Sequence, residues 1–184
     1  MALKLKISRG EIMTVLEAIK NRYSCRNYLD KAIEKEKLDQ VLEAARLAPS
    51  AKNLQDWRFV IVTDKAQKRK LVEAANNQIF LEKAGAIIIA CTNSDYVMRC
   101  GQPAGVIDVA IALEHICLEA TSLGLATCWI GSFYPEKVKA ITGIPEDIPI
   151  VELMALGYPA DRSGLPGREP VEKIACFETW KFSE

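Results

Sequence analysis

The first residues whose types and spacing could do chemistry lie in the segment NRYSCRNYLD, residues 21–30. Arg22 and Arg26 flank Ser24, so two guanidinium groups stand around one hydroxyl. Arginine supplies forked hydrogen-bond donors and a permanent positive charge, which suits it to holding a ligand. The segment also follows a predicted helix, and cations at a helix C-terminus interact favourably with the helix dipole. By itself the segment leaves both interpretations open.

A second polar segment, APSAKNLQDWRF, spans residues 48–59 and follows the next predicted helix, which Pro49 ends. Ser50, Asn53 and Gln55 then supply hydrogen-bonding side chains in close succession. An amide offers a donor and an acceptor together, which suits an edge that alternates N–H and C=O groups, such as that of a flavin ring. The alternative is a polar connection between a helix and a strand, the commonest kind of loop.

Two further candidate positions for ligand binding lie later in the chain. The segment GLATCWIGSF ends a predicted strand at Gly131, where the backbone can approach a flat ligand closely. The alternative for this segment is an ordinary buried strand that carries an aromatic residue. Arg168 lies in GLPGREP, between glycine and proline, and most single arginines of this kind are solvated surface residues.

The elements that must position these segments follow from hydrophobic periodicity. A capping box formed by Ser8 and Glu11 predicts the start of a first helix, which ends near Lys20. A second helix is predicted over residues 35–48, and the longest over residues 101–123. The other predicted elements are a strand at 58–63, a helix at 65–75, strands at 86–91 and 125–131, a helix from Pro135 to Gly143, and a strand at 148–158.

The long predicted helix is apolar on nearly every side and ends at Gly124 in the C′ position. Such a helix is buried, and here we expect it to be shared with a second subunit. We expect its His115 to be a packing or dimer-contact residue. The interleaved helices and strands predict an α/β or α+β fold. The length predicts one domain over residues 1–184, with an extended arm from about residue 159.

Composition excludes several classes of function. Lysine plus arginine equals aspartate plus glutamate, 24 against 24, so no basic field indicates nucleic acid as a partner. The apolar segment 104–123 contains Asp108, Glu114 and Glu119, which argues against a membrane span. The six cysteines form no CxxC pair and there is one histidine, so no metal site is expected. Reduced thiols and a start without an export signal predict a cytoplasmic protein.

The order of the segments is more specific than any one of them. RxSxR follows the first helix, APSxxNxQxW the second and GLxTCWIG the long helix, and GYP and an arginine come in the tail. This order resembles the nitroreductase family of FMN-dependent oxidoreductases, from about Asn21 to Arg168. The resemblance implies an α+β fold with a central mixed or antiparallel sheet flanked by helices. It also implies a homodimer with the long helix at the interface and two shared FMN sites.

The resemblance implies a role for each segment in binding FMN. Arg22 would pair with the phosphate, and Arg168 would complete the phosphate clamp from the tail. Ser24 and the backbone near Tyr23 would bond phosphate or ribityl oxygens, and Arg26 would reach the ribityl chain and the N1/C2=O edge of the flavin. The remaining implied contacts are Pro49, Ser50, Ala51, Asn53 and Gln55, supplied across the dimer interface, and Ile130 and Gly131 along the ring, with a backbone N–H near flavin N5.

The sequence departs from the family pattern in places. The second motif commonly reads QPW, and here Asp56 takes the middle position, which puts an acid near the mouth of the site. The segment between Cys91 and Gly105 is short, whereas many members have longer insertions there that shape the substrate pocket. Gln78 is a candidate for the polar residue that often faces the ring edge.

The implied activity is a ping-pong reaction in which NADH or NADPH reduces the flavin at N5. The reduced flavin then passes electrons to a nitroaromatic, a quinone or a related small-molecule acceptor. No side chain need act as an obligate acid or base, and Arg26 would stabilise negative charge on the reduced ring. Two alternatives stay open: another flavin reaction on the same fold, such as reductive dehalogenation or oxidative ring chemistry, and a flavin-binding protein without turnover.

Overall fold

The computed structural model describes residues 13–162 and 167–182. Four strands form one sheet: β1 (Trp57–Val62), β2 (Ala86–Thr92), β3 (Ala126–Ile130) and β4 (Ile150–Gly157). Their spatial order is β1-β2-β4-β3, and every neighbouring pair is antiparallel. Of the two sheet types that the resemblance allows, the structure therefore has the antiparallel one, with β1 and β3 at the edges.

Helices alternate with these strands along the chain, as the periodicity predicted. The second helix ends at Arg46, earlier than expected, because Pro49 disfavours helical backbone in the residue before it. The long helix begins at Ala104 because Gly101, at φ 86°, belongs to a turn before it. The α-helices of the described residues are α1 (Val15–Asn21), α2 (Lys35–Arg46), α3 (Lys65–Ala74), α4 (Ala104–Ser122) and α5 (Pro135–Thr142).

The sheet has helices on both faces, which makes the architecture a helix–sheet–helix sandwich. Every residue of β2 is buried, and its side chains alternate between two apolar clusters. Ile87 and Ile89 join one cluster with α3 and α5, whereas Ile88 and Ala90 join the other with α2 and α4. A strand covered on both faces reads as a continuous apolar run, which explains the sequence AIIIAC.

The start of the first helix differs from the expectation. The predicted capping box of Ser8 and Glu11 lies outside the described residues. The described helix begins at Val15 and has its own capping box. The Thr14 hydroxyl accepts from the Glu17 N–H at 3.2 Å, and the Glu17 carboxylate accepts from the Thr14 N–H at 2.8 Å. These bonds satisfy two N–H groups that the helix itself leaves free.

Three apolar side chains of α1 are exposed in the single chain. Val15, Leu16 and Ile19 are 72%, 57% and 48% exposed, and Ala18 is the buried residue of this helix. Helix α1 packs against α4. These three exposed side chains thus lie beside the long helix without being covered by it.

Helix α4 buries one side against the sheet and α2 and leaves part of the other open. Val106 and Ile107 are 48% and 39% exposed, so the expected burial on all sides is not completed within one chain. His115 makes a packing contact, as predicted, because its Nδ1 lies 3.2 Å from the carbonyl oxygen of Ala44 in α2. Among the described residues, no helix is long and apolar enough to cross a bilayer.

The described part of the arm, residues 167–182, contains one short 3₁₀ turn at Val171–Lys173. Its large apolar side chains project into solvent: Ile174, Phe177 and Trp180 are 67%, 77% and 81% exposed. Such an arm cannot stabilise itself by burying its own apolar surface. Its sequence is nevertheless apolar at intervals, which is typical of a segment that packs on another surface.

Candidate functional site

The first segment, residues 21–30, lies along the free edge of β3. Ser24 forms a parallel bridge with Thr127, and the Cys25 N–H donates to the Thr127 carbonyl at 2.9 Å. Edge strands present unpaired backbone groups, and this segment satisfies those in the middle of β3. Ser24 itself is exposed. The structure therefore brings the first segment next to the strand that leads to Gly131.

The arm also leaves the domain beside the first segment. The Tyr23 hydroxyl donates to the Asp161 carbonyl at 2.7 Å, and the Asn27 amide donates to the Asp161 carboxylate at 2.6 Å. Burial raises the pKa of Tyr23, so this hydroxyl remains a neutral donor. Arg162 donates to the side chain of Asn21 at 2.7 Å. The arm that carries Arg168 thus starts beside the segment that contains Arg22 and Arg26.

Arg168 is exposed, and its guanidinium donates to the Gly167 carbonyl at 3.3 Å. The chain between it and Arg162 includes residues 163–166, which lie outside the described residues. The predicted contribution of Arg168 to a phosphate clamp remains a prediction.

Arg22 has a donor that the protein does not satisfy. Its Nε is shielded from solvent and has no hydrogen-bond partner among the described residues. The facing carboxylate oxygen, Oε1 of Glu114 in α4, is 3.8 Å away, too far for a hydrogen bond. A buried donor left unpaired costs about 1–3 kcal/mol. An anionic ligand that accepts from this group would remove the cost, and a phosphate has the right chemistry.

Arg26 is exposed and lies close enough to β3 to act on the Cys128 thiol. Burial raises the pKa of that thiol, and the positive charge of Arg26 opposes the rise. The two arginines of the first segment therefore have different surroundings. Arg22 lies beside Glu114 of α4, whereas Arg26 is exposed.

The second segment forms a strained turn between α2 and β1. Lys52, Asn53 and Gln55 have φ angles of 51°, 57° and 55°, in the left-handed region that non-glycine residues seldom adopt. Such a conformation costs about 1–2 kcal/mol per residue. Hydrogen bonds hold the turn: the Gln55 N–H donates to the Ser50 hydroxyl and the Asn53 N–H to the Ser50 carbonyl, both at 3.0 Å. Strain of this kind concentrates at ligand sites.

Asp108 of α4 holds this turn by accepting a backbone hydrogen bond. Both of its carboxylate oxygens accept from the Ala51 N–H, at 3.1 and 3.2 Å, and the residue is 5% exposed. In the sequence, Asp108 is evident only as a charge that argues against a membrane span. A carboxylate in an otherwise apolar helix is itself a signal, because a buried charge needs a partner.

The third set of residues surrounds the end of β3. Ile130 is buried, and the chain then emerges at the exposed Gly131. The link between α3 and β2 packs against the following residue: Asn76 donates to the Ser132 hydroxyl at 3.2 Å, and Gln78 donates to the Ser132 carbonyl at 3.1 Å. Gln78 therefore lies beside Gly131. Sequence reasoning missed Glu152 of β4, which also reaches this point.

Within one chain the structure joins only part of the predicted site. The first segment and Gly131 share β3, whereas the second segment is attached to the opposite sheet edge and to α4. In the described part of the chain, the side-chain hydrogen bonds of the second segment go to its own turn, to Arg58 and to Asp108. Pro49 and Asp56 lie in the same turn region, and the Asp56 carbonyl accepts from the Asn93 N–H at 3.2 Å.

A sequence model of the nitroreductase family matches this chain over residues 19–99 and 73–158, which together span most of its length. The chain belongs to the nitroreductase family. The α+β architecture that the resemblance implied is thereby confirmed, since solved structures of the family superpose on it over about nine tenths of the chain.

Individual relatives have similar sequences and folds. A protein of Thermus thermophilus named NADH dehydrogenase is 32% identical, over 90% of this chain and 97% of its own length. An FMN reductase [NAD(P)H] of Bacillus subtilis is 29% identical, over 90% of this chain and 74% of its own. The crystal structure of a nitroreductase family protein from Clostridium difficile has 34% identity and a TM-score of 0.81, over 91% of this chain and all of that one.

The turn of this nitroreductase allows a direct test of its anchor. Replacing Asp108 with alanine should lower the free energy of unfolding by about 1–3 kcal/mol, because the Ala51 N–H loses its acceptor. Asp108→Asn keeps an acceptor oxygen and should lose much less. Urea denaturation of both variants measures the difference, with exposed Asp147→Ala as the control. Equal losses in the alanine and asparagine variants would contradict the hydrogen-bonding role.

Proposed function

We propose that this nitroreductase is an FMN-dependent oxidoreductase that passes electrons from NADH or NADPH to a nitroaromatic, a quinone or a related small-molecule acceptor. The observation that carries the proposal is the unsatisfied Nε of Arg22, in a chain whose relatives include an FMN reductase. A terminal phosphate would satisfy it. Bound FMN would supply the redox chemistry by accepting a hydride at N5 and giving it up in a second half-reaction.

The protein's part is to bind and orient the cofactor. Arg22 and Arg168 would hold the phosphate, and Ser24, exposed on the β3 edge, would bond the phosphate or the ribityl chain. Arg26, whose charge acts on β3, would lie along the N1/C2=O edge of the ring. Gly131 would offer its backbone N–H near N5, because a residue without a side chain lets the backbone come close to a flat ligand.

We also propose that two copies of the chain complete each site. The strained turn that carries Ser50, Asn53 and Gln55 has no hydrogen bond to the first segment in the described residues, which supports its use by the other subunit. The exposed apolar side chains of α1, α4 and the arm support a large covered surface. The six cysteines are all free thiols, which supports a reducing compartment such as the cytoplasm.

Cofactor analysis combined with turnover tests this proposal. The purified protein should release a flavin on heating that co-migrates with FMN, because the proposed role of the arginines is to hold a terminal phosphate. A steady-state assay should show oxidation of NADH or NADPH with a panel of nitroaromatic and quinone acceptors. FAD in place of FMN, or a colourless protein that does not take up added FMN, would refute the cofactor assignment. Tight FMN binding without turnover would refute the oxidoreductase activity.

A further inference from the structure

Glu152 stands opposite Gly131 across the ladder between β3 and β4. The register pairs Ile130 with Leu153, so the next positions outward, Gly131 and Glu152, face each other. A Cβ atom at position 131 would lie 3.7 Å from Oε1 and 3.8 Å from Oε2 of Glu152. The carboxyl therefore lies against the backbone of residue 131, with no side chain between them.

The carboxyl of Glu152 is unsatisfied as well as close. Its Oε1 is shielded from solvent and has no hydrogen-bond partner among the described residues. Burial raises the pKa of Glu152, and the nearby N–H groups of Ile130 and Leu153 oppose the rise only in part. Buried polar groups of native proteins nearly always have partners, so each exception requires an explanation. A residue that serves only to complete the sheet would be apolar at this position.

The surroundings of Glu152 contain few groups that titrate. On β3 the Cys128 thiol belongs to the cluster on the other face of the sheet, and its pKa is raised by burial first and also by Glu152, and lowered by Arg26. On β2 the paired residue is Ala90, which carries no charge. Helix α4, which packs against β4, carries Asp108 and Glu114, and these contact Ala51 and Arg22 instead.

We propose that Glu152 is a positioning residue of the flavin site, which acts through the Gly131 backbone and determines how the reduction potential of bound FMN changes with pH. The proposal rests on the proposed function, in which Gly131 lies near N5. While protonated, the carboxyl is neutral and leaves the electrostatics of the site unchanged. Once ionised, it places a negative charge behind Gly131. Reduction adds electrons to the ring, so this charge disfavours the reduced cofactor.

The sign of the effect separates this role from a structural one. Below the pKa of Glu152, the wild-type protein and Glu152→Gln should have the same FMN potential, because both carry a neutral group of the same shape. Above that pKa, the wild-type potential should be the lower of the two. We expect the preference for reduced over oxidised FMN to differ by about tenfold, equivalent to about 30 mV for a two-electron couple.

The experiment is a potentiometric titration of the FMN-loaded protein at a series of pH values between ~5 and ~9, bracketing a raised carboxyl pKa. Wild type is compared with Glu152→Gln, with Glu152→Ala as a second neutral variant and Cys128→Ser as the control for the Cys128 thiol. The expected result is a pH-dependent difference for both Glu152 variants, with the pH dependence of the wild type retained in Cys128→Ser.

Three outcomes would overturn the proposal. A constant offset at every pH would show that Glu152 only shapes the site. Identical potentials at every pH would show that it has no effect on the cofactor. Loss of FMN by folded Glu152 variants would assign it to binding instead. If the wild-type protein itself binds no FMN, the proposed function fails, and that result is distinguishable because it appears before any variant is compared.

Discussion

Replacing Arg22 with alanine should weaken FMN binding by about 1.5–3 kcal/mol, the value of a hydrogen bond to a charged group. The physical reason is that the substitution removes the buried Nε, which has no partner among the described residues, so the phosphate would lose that donor. The charge of a phosphate does not depend on the redox state of the ring. The binding of oxidised and of reduced FMN should therefore be weakened about equally, as titration with oxidised FMN and, under anaerobic conditions, with dithionite-reduced FMN would measure.

Arg26→Ala provides the matched comparison within the same segment. In the proposed site its charge lies beside the ring edge, so its loss should disfavour the reduced form and lower the potential. Each 30 mV of that fall corresponds to about 1.4 kcal/mol. The distant Arg69→Ala, which breaks an ion pair with Glu82 at 2.7 Å, controls for loss of a positive charge.

The competing explanation for the arginine pair is simple complementation of the helix end. Helix α1 ends at Asn21, and Arg22 is its C-cap residue, so the geometry for a dipole interaction is present. In that case each substitution should cost a few tenths to about 1 kcal/mol of stability and leave FMN affinity unchanged. If both variants bind FMN with unchanged affinity, the two arginines only complement the helix end. An unchanged potential in Arg26→Ala alone would remove only its electrostatic role.

Introducing charge into the exposed face of α4 should dissociate the dimer. In Val106→Glu/Ile107→Glu, two half-exposed apolar side chains become carboxylates that a subunit interface would have to bury. An uncompensated buried charge costs about 3–5 kcal/mol, enough to raise the dissociation constant by at least a hundredfold. Light scattering at micromolar concentration should show a dimer for the wild type and a lower mass for the variant. If the second segment binds FMN across the interface, the variant should also lose FMN.

Ile79→Glu is the control for this prediction. Ile79 is 73% exposed and lies in the turn Ile79–Glu82 beside α3, on the other side of the sheet. The same chemical change there should leave the assembly and the cofactor unaffected. A wild-type protein that is a stable, flavin-bound monomer would contradict the dimer outright. A double variant that remains dimeric would show that the interface does not include this face of α4.

Much of the fold follows from local features of the sequence. Pro135 at the start and Gly143 after the end predict helix α5, and the structure places Gly143 at φ 72°. Gly124, at φ 74°, likewise follows the long helix. The apolar run that became β2 was predicted as a strand from its residue types alone. These features are short-range, because caps and periodicity act within a few residues.

Some residues of the candidate site were predictable from the sequence, and others were not. Arg22, Ser24, Arg26 and Gly131 were identified by residue type and order, and the structure joins Ser24 to β3, the strand that ends just before Gly131. Asp108 and Glu152 were not identified, although each is a charge within an apolar element. The partner of Asp108 is 57 positions away in the sequence, and no local pattern indicates such a pairing.

The sequence by itself determined the order of helices and strands, the family, and the residue types available to bind a cofactor, because these depend on local propensity and spacing. Tertiary structure alone decided that residues 21–30 lie on the edge of β3, that Asp108 holds the strained turn, and that Glu152 faces Gly131. Strand register sets the last of these, and a slip of one residue would turn Glu152 to the other face of the sheet. Register and helix packing arise from the whole core, and short segments do not encode them.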